Sequence, residues 1–130
     1  MQVGIANKNI TPQSPMEMMG YGDREHSSVG VHDSLQAYAL YVEPLNSKPW
    51  CWVSVDLCLI GFGCGNAIKR EVSQIAGVDE NQIVIQGTHT HSGPDAFDLH
   101  LKRSAEEEHY YQLLIDGISN AIIEAKKNKK

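Results

Sequence analysis

Two histidines one residue apart are the part of this sequence best equipped for chemistry. They stand in Gly87-Thr88-His89-Thr90-His91-Ser92-Gly93-Pro94, directly after the run Ile83-Val84-Ile85-Gln86. That apolar, β-branched run reads as a buried strand. Gly87 weakens it and Ser92-Gly93-Pro94 ends it with turn formers, so both imidazoles fall where a core strand leaves its sheet. If the backbone stays extended through Thr90, His89 and His91 point to one face, with Thr88 and Thr90 on the other. Their Cα atoms then lie roughly 6–7 Å apart, close enough for both rings to reach one ion. Two solvated rings, or one hydrogen-bonded core histidine, would give the same short pattern. The Gly, Ser and Pro that follow favour the functional reading, because binding and catalytic groups concentrate on loops held by rigid elements.

The elements that must position this pair fit into one domain, the usual size for 130 residues and enough for a real core. A net charge of −5 argues against a nucleic-acid partner, which wants clustered Lys and Arg. The one basic cluster, Lys126-Lys127-Asn128-Lys129-Lys130, reads as a solvated helix end. No apolar run approaches the ~20 residues of a membrane span, and the first residues lack the basic start and apolar stretch of a signal peptide. Cys51, Cys58 and Cys64 are odd in number and show no Cys-x-x-Cys spacing. They read as small buried hydrophobes in a reducing compartment, which makes the cytoplasm the expected location.

Val3 to Ala6 is expected as a short first strand, stopped by Asn9-Ile10-Thr11-Pro12. From Gln13 to Val31 no period is visible. That long loop is rich in Met and Gly and reads either as one wall of a site or as core filling by its methionines. Leu35 to Val42 and Trp50 to Leu57 form an expected antiparallel hairpin, whose near-continuous apolar character suggests burial on both faces. A helix over 66–76 carries Ile68, Val72, Ile75 and Ala76 at helical spacing, with Gly77 placed to end it. The glycines at 61, 63 and 65 match neither the dinucleotide fingerprint nor the P-loop, so nucleotide binding is not expected. Strand 50–57, helix 66–76 and strand 82–87 make a β-α-β unit with parallel strands. Their carboxyl ends share the sheet edge at which open α/β sheets place ligands. Asp56 ends one strand, either as a partner that orients a histidine ring or as a plain turn residue. The clearest helix begins at Ser104-Ala105-Glu106-Glu107, a capping-box sequence, and places Tyr111, Leu114, Ile118, Ile122 and Ala125 on one stripe. His100 and His109 read as ordinary exposed residues. The fold class is therefore α/β: a mixed sheet with a hairpin and a βαβ unit, covered by helices.

In order, Val3-Gly4-Ile5-Ala6, Asn9-Ile10-Thr11-Pro12, Met19-Gly20-Tyr21-Gly22, Gly30-Val31-His32-Asp33, Val53-Ser54-Val55-Asp56 and Gly87 to Pro94 resemble the N-terminal part of the neutral/alkaline (non-lysosomal) ceramidases. The resemblance implies zinc-dependent hydrolysis of the amide bond of N-acyl sphingoid lipids. It makes His89 a zinc ligand, sets His91 in the substrate pocket near the bond being cut, and makes Gly20, Tyr21 and Gly22 part of the wall. Zinc suits imidazole and carboxylate donors; bound, it polarises a carbonyl and lowers the pKa of water. His91 would steady the developing oxyanion or move a proton. The same resemblance puts the remaining family ligands, a second histidine, a glutamate and a tyrosine, beyond the position of Lys130. Within this sequence His32, His26, His91 and Asp56 are the available substitutes, with His32 the nearest expected. A homo-oligomer could instead complete the site. The competing expectation is a non-catalytic module that binds a ligand or a partner through the same sheet edge.

Overall fold

Alternation of β-branched, aromatic and small residues builds four strands, and two amphipathic stretches build the helices that cover them. The computed structural model describes residues 1–101 and 103–130. Its elements are β1 (Gln2–Asn9), β2 (Gln36–Glu43), β3 (Trp50–Val55), α1 (Phe62–Ala76), β4 (Ile83–Gly87) and α2 (Ala105–Lys127), with a single 3-10 turn over Glu80–Gln82. The sheet runs β1-β2-β3-β4; β2 is antiparallel to both its neighbours, and β3 and β4 are parallel. This is the mixed α/β sheet expected from the sequence, with the hairpin and the βαβ unit in place.

One face of the sheet is dry. Ala37, Ala39 and Tyr41 of β2 and Cys51, Val53 and Val55 of β3 alternate inward and meet Ile68 and Val72 of α1 and Leu114, Ile115, Ile118 and Ile122 of α2. Each fully buried aliphatic side chain contributes roughly 1.5–3 kcal/mol of transfer free energy. The other face corrects the expectation of burial on both sides. Ile5, Leu40, Trp52 and Val84 are in register across all four strands, and Ile5, Trp52 and Val84 are 69%, 45% and 52% exposed. Strand residues alternate faces, and among the described residues both helices pack on the same one.

Local signals set the element ends. Ser104 Oγ accepts the Glu107 N–H at 3.2 Å while the Glu107 carboxylate accepts the Ser104 N–H at 2.7 Å, so the capping box is complete. Gly77 ends α1 in the left-handed region, φ 64°. α1 starts at Phe62, four residues before the expected position, because the glycine run continues into the helix instead of forming a separate turn. His100 is half-buried rather than exposed, its Nδ1 enclosed and its ring against Gly63; His109 is exposed. The long loop is pinned to the body at several points. Met16 is buried and exchanges hydrogen bonds with Ser28, and Met18 forms a β-bridge with Pro94. Among the described residues no helix is long and apolar enough to cross a membrane.

Candidate metal centre

β3 and β4 end together, and the chain stays paired just past both ends. Thr88 N–H donates to Val55 O at 2.9 Å and His89 N–H donates to Leu57 O at 3.0 Å. Gly87 makes this close approach possible, since a Cβ there would sit 2.7 Å from Leu57 O. The residues after each strand, Leu57-Cys58 and Thr88-His89, are thus held side by side at the carboxyl edge of the parallel pair.

His89 then turns the chain. Its φ is 69°, the only non-glycine in the left-handed region among the described residues. A histidine there costs of order 1–3 kcal/mol, a strain that recurs at functional sites. Strand alternation therefore does not bring the two rings together, as the sequence suggested; the left-handed turn at His89 does. The ring centroids of His89 and His91 lie 5.1 Å apart with planes at 77°. His89 is exposed and His91 half-buried, so the pair opens to solvent.

His89 Nδ1 faces Cys58 twice, 3.1 Å from its carbonyl oxygen and 3.6 Å from its Sγ. Protonated at Nδ1, the ring donates to the carbonyl; protonated at Nε2, it turns a lone pair on Nδ1 towards the thiol. One donor atom from each of Cys58, His89 and His91 lies within 4.8 Å of the others. Thiolate and imidazole are donors that zinc takes, so this set fits the ion the resemblance implies. Cys58, by its spacing along the chain a plain buried hydrophobe, is 4% exposed and lies beside His89. Its position three residues after the end of β3, at the edge that carries His89, was the available signal.

The long loop walls His91. Gly20 has φ 117°, and a Cβ on it would stand 2.6 Å from His91 Cβ, so only glycine fits beneath that side chain. The Tyr21 ring meets His91 edge-on, centroids 5.2 Å apart. Arg24 lies over Tyr21 and donates to His91 O at 3.4 Å, a contact the sequence did not suggest. Met19 N–H donates to Gly93 O at 3.2 Å and closes the wall. Gly22 faces open space.

Three candidate residues lie elsewhere. Asp56 Oδ2 accepts the Gln36 N–H at 2.9 Å, and Asp56 N–H donates to Gln36 O, so Asp56 ties β3 to the start of β2. The group facing Nδ1 of His89 is the Cys58 carbonyl, not this carboxylate. His32 is almost fully exposed and pairs with Asp33 at 2.8 Å, which raises its pKa above the usual 6.5. His26 is exposed and contacts Ser27 O. His26, His32 and Asp56 line a separate cavity of about 750 Å³ together with Arg24, Thr90 and Ser92. None of the three is in the Cys58–His89–His91 group.

Comparison with known proteins agrees over the whole chain. Residues 1–130 match the family model described as neutral/alkaline non-lysosomal ceramidase, N-terminal. Neutral ceramidase 3 of Arabidopsis thaliana is 32% identical over 97% of the chain, and neutral ceramidase of Oryza sativa subsp. japonica is 28% identical over 97%. The crystal structure of neutral ceramidase from Pseudomonas aeruginosa superposes on 99% of the chain with a TM-score of 0.80 at 26% identity. The chain spans 18% of the Arabidopsis protein, 17% of the rice protein and 22% of the Pseudomonas chain. With its motifs in order and its entire length matched to the model of the N-terminal region, this chain belongs to the neutral/alkaline non-lysosomal ceramidase family.

Proposed function

We propose that this chain forms the metal-bearing edge of a zinc amidohydrolase that cleaves the N-acyl bond of a sphingoid lipid or a similar amide. The observation that carries the reading is the strained turn at His89, which sets its ring edge-on to that of His91 at the carboxyl edge of two parallel strands. His89 holds the metal. Bound zinc would polarise the amide carbonyl and lower the pKa of water. His91 is the adjacent hydrogen-bond donor, placed to steady negative charge on the carbonyl oxygen and to pass a proton to the leaving amine. Gly20 and Tyr21 fix the His91 ring.

A turnover assay on N-acyl sphingosine and on simpler amides tests this reading, with zinc-loaded protein. Cleavage that His89→Ala abolishes is the expected result; complete inactivity of the zinc-loaded chain counts against an enzyme. The apolar row Ile5, Leu40, Trp52 and Val84 favours a second reading, a non-catalytic module that docks a partner on its open face. That reading requires that neither wild type nor His89→Ala retain metal.

A further inference from the structure

We infer that Arg24 is a specificity-determining residue, which selects amide substrates that carry a carboxylate or phosphate group near the bond to be cut. The inference rests on the amidohydrolase reading of this edge and deepens it by naming the substrate class. Arg24 belongs to the long loop that walls His91 and is half-buried. Its Nη2 donates to His91 O at 3.4 Å, and its guanidinium carbon stands 5.2 Å from the Tyr21 ring centre. Those contacts leave Nη1 unused. That nitrogen is enclosed and has no hydrogen-bond partner among the described residues. No ion pair among them includes Arg24 either.

An arginine side chain stays charged, and taking it out of water without an acidic partner is costly. Its planar fork of N–H groups matches the oxygens of a carboxylate or a phosphate. Arg24 lines the cavity of about 750 Å³ together with Thr90 and Ser92, the two neighbours of His91 in sequence. Two carboxylates line the same cavity, and both are engaged elsewhere. Asp33 pairs with the His32 ring, and Asp56 accepts the Gln36 N–H. The cavity therefore offers an entering oxyanion one guanidinium without an acidic partner. Tyr21 joins that charge to the reacting edge, since its ring meets His91 edge-on and also carries Arg24. An N-acyl amino acid or a phosphorylated N-acyl sphingoid would set its anion on Arg24 with its amide towards His91. A neutral head group would leave the guanidinium unpaired, which is where the selectivity arises.

Titration calorimetry of the intact chain, with zinc and after its removal, tests the assignment. The probes are N-octanoylglycine and N-octanoylphosphoethanolamine, each set against its neutral match, N-octanoylglycinamide and N-octanoylethanolamine. In both states the wild type is expected to bind at least one anionic probe roughly 10–100-fold more tightly than its match. The ratio should fall to near one in Arg24→Gln. A preference confined to the glycine probe assigns carboxylate substrates, and one confined to the phosphate probe assigns phosphorylated lipids. Equal affinity for charged and neutral probes in the wild type overturns the role of Arg24, whether or not the variant folds. So does a preference that survives in Arg24→Gln, one that appears only with zinc, or no binding of any probe. Turnover by the zinc-loaded chain separates this inference from the reading beneath it. Anionic probes that bind through Arg24 and are not cleaved contradict the amidohydrolase and leave the oxyanion site in place. Charged and neutral probes cleaved at the same kcat/KM contradict the selectivity alone.

Discussion

His89 and His91 are separated by a single residue, yet their rings meet at a centroid distance of 5.1 Å because His89 adopts φ 69°. The backbone carries a conformation that L-residues avoid, and glycine would adopt it freely. His89→Gly should therefore be more stable than His89→Ala by about 1 kcal/mol, measured by urea denaturation in metal-free buffer. Equal stability of the two variants would show that the turn relaxes without the histidine. Neither variant should retain metal.

Gly20 is the counterpart on the wall. Its φ of 117° and the His91 side chain beneath it exclude a methyl group. Gly20→Ala should lower stability by about 1–3 kcal/mol and shift the imidazole resonances of His91 more than those of His32. An unperturbed His91 spectrum would contradict the packing described.

The two faces of the sheet should respond differently to substitution. Ile118 is fully buried between α2 and the sheet, so Ile118→Ala should cost about 2–5 kcal/mol. Val84 lies on the open face, and Val84→Thr should stay within about 0.5 kcal/mol of wild type. Thermal unfolding of both variants reads this directly. A large loss at Val84 would mean that the open face is covered.

His32 provides a pH test away from the metal group. The Asp33 carboxylate accepts a hydrogen bond from its ring and holds the pKa above 6.5. The small stabilisation this pair gives is complete below the unfolded pKa and is lost as pH rises through the folded value. The NMR titration of His32 should move down towards 6.5 in Asp33→Asn. A midpoint that does not move on that substitution would remove the pair as its cause.

Much of this arrangement was legible in the sequence because the signals are local. The capping box at Ser104, the glycine stop at Gly77 and the β-α-β order each follow from a few neighbouring residues, and the last of these puts His89 at the correct sheet edge. What escaped depends on contacts between distant segments. Cys58 and His89 are 31 residues apart and meet only because β3 and β4 pair in parallel, so a cysteine judged by spacing along the chain looks inert. The left-handed His89 carries no sequence mark, since glycine is the residue that advertises such a turn. The apolar row on the open face misled for a related reason. Trp52 and Val84 look like core by composition, and only the placement of both helices on the opposite face reveals their exposure.

The functional reading of this sheet edge requires that His89 bind an ion. Zinc measured after exhaustive dialysis, in wild type and in His89→Ala shown to be folded by amide hydrogen exchange, tests this most directly. The account predicts about one equivalent in the wild type and none in the variant. Metal-free wild type, or the same zinc content in both, would contradict it.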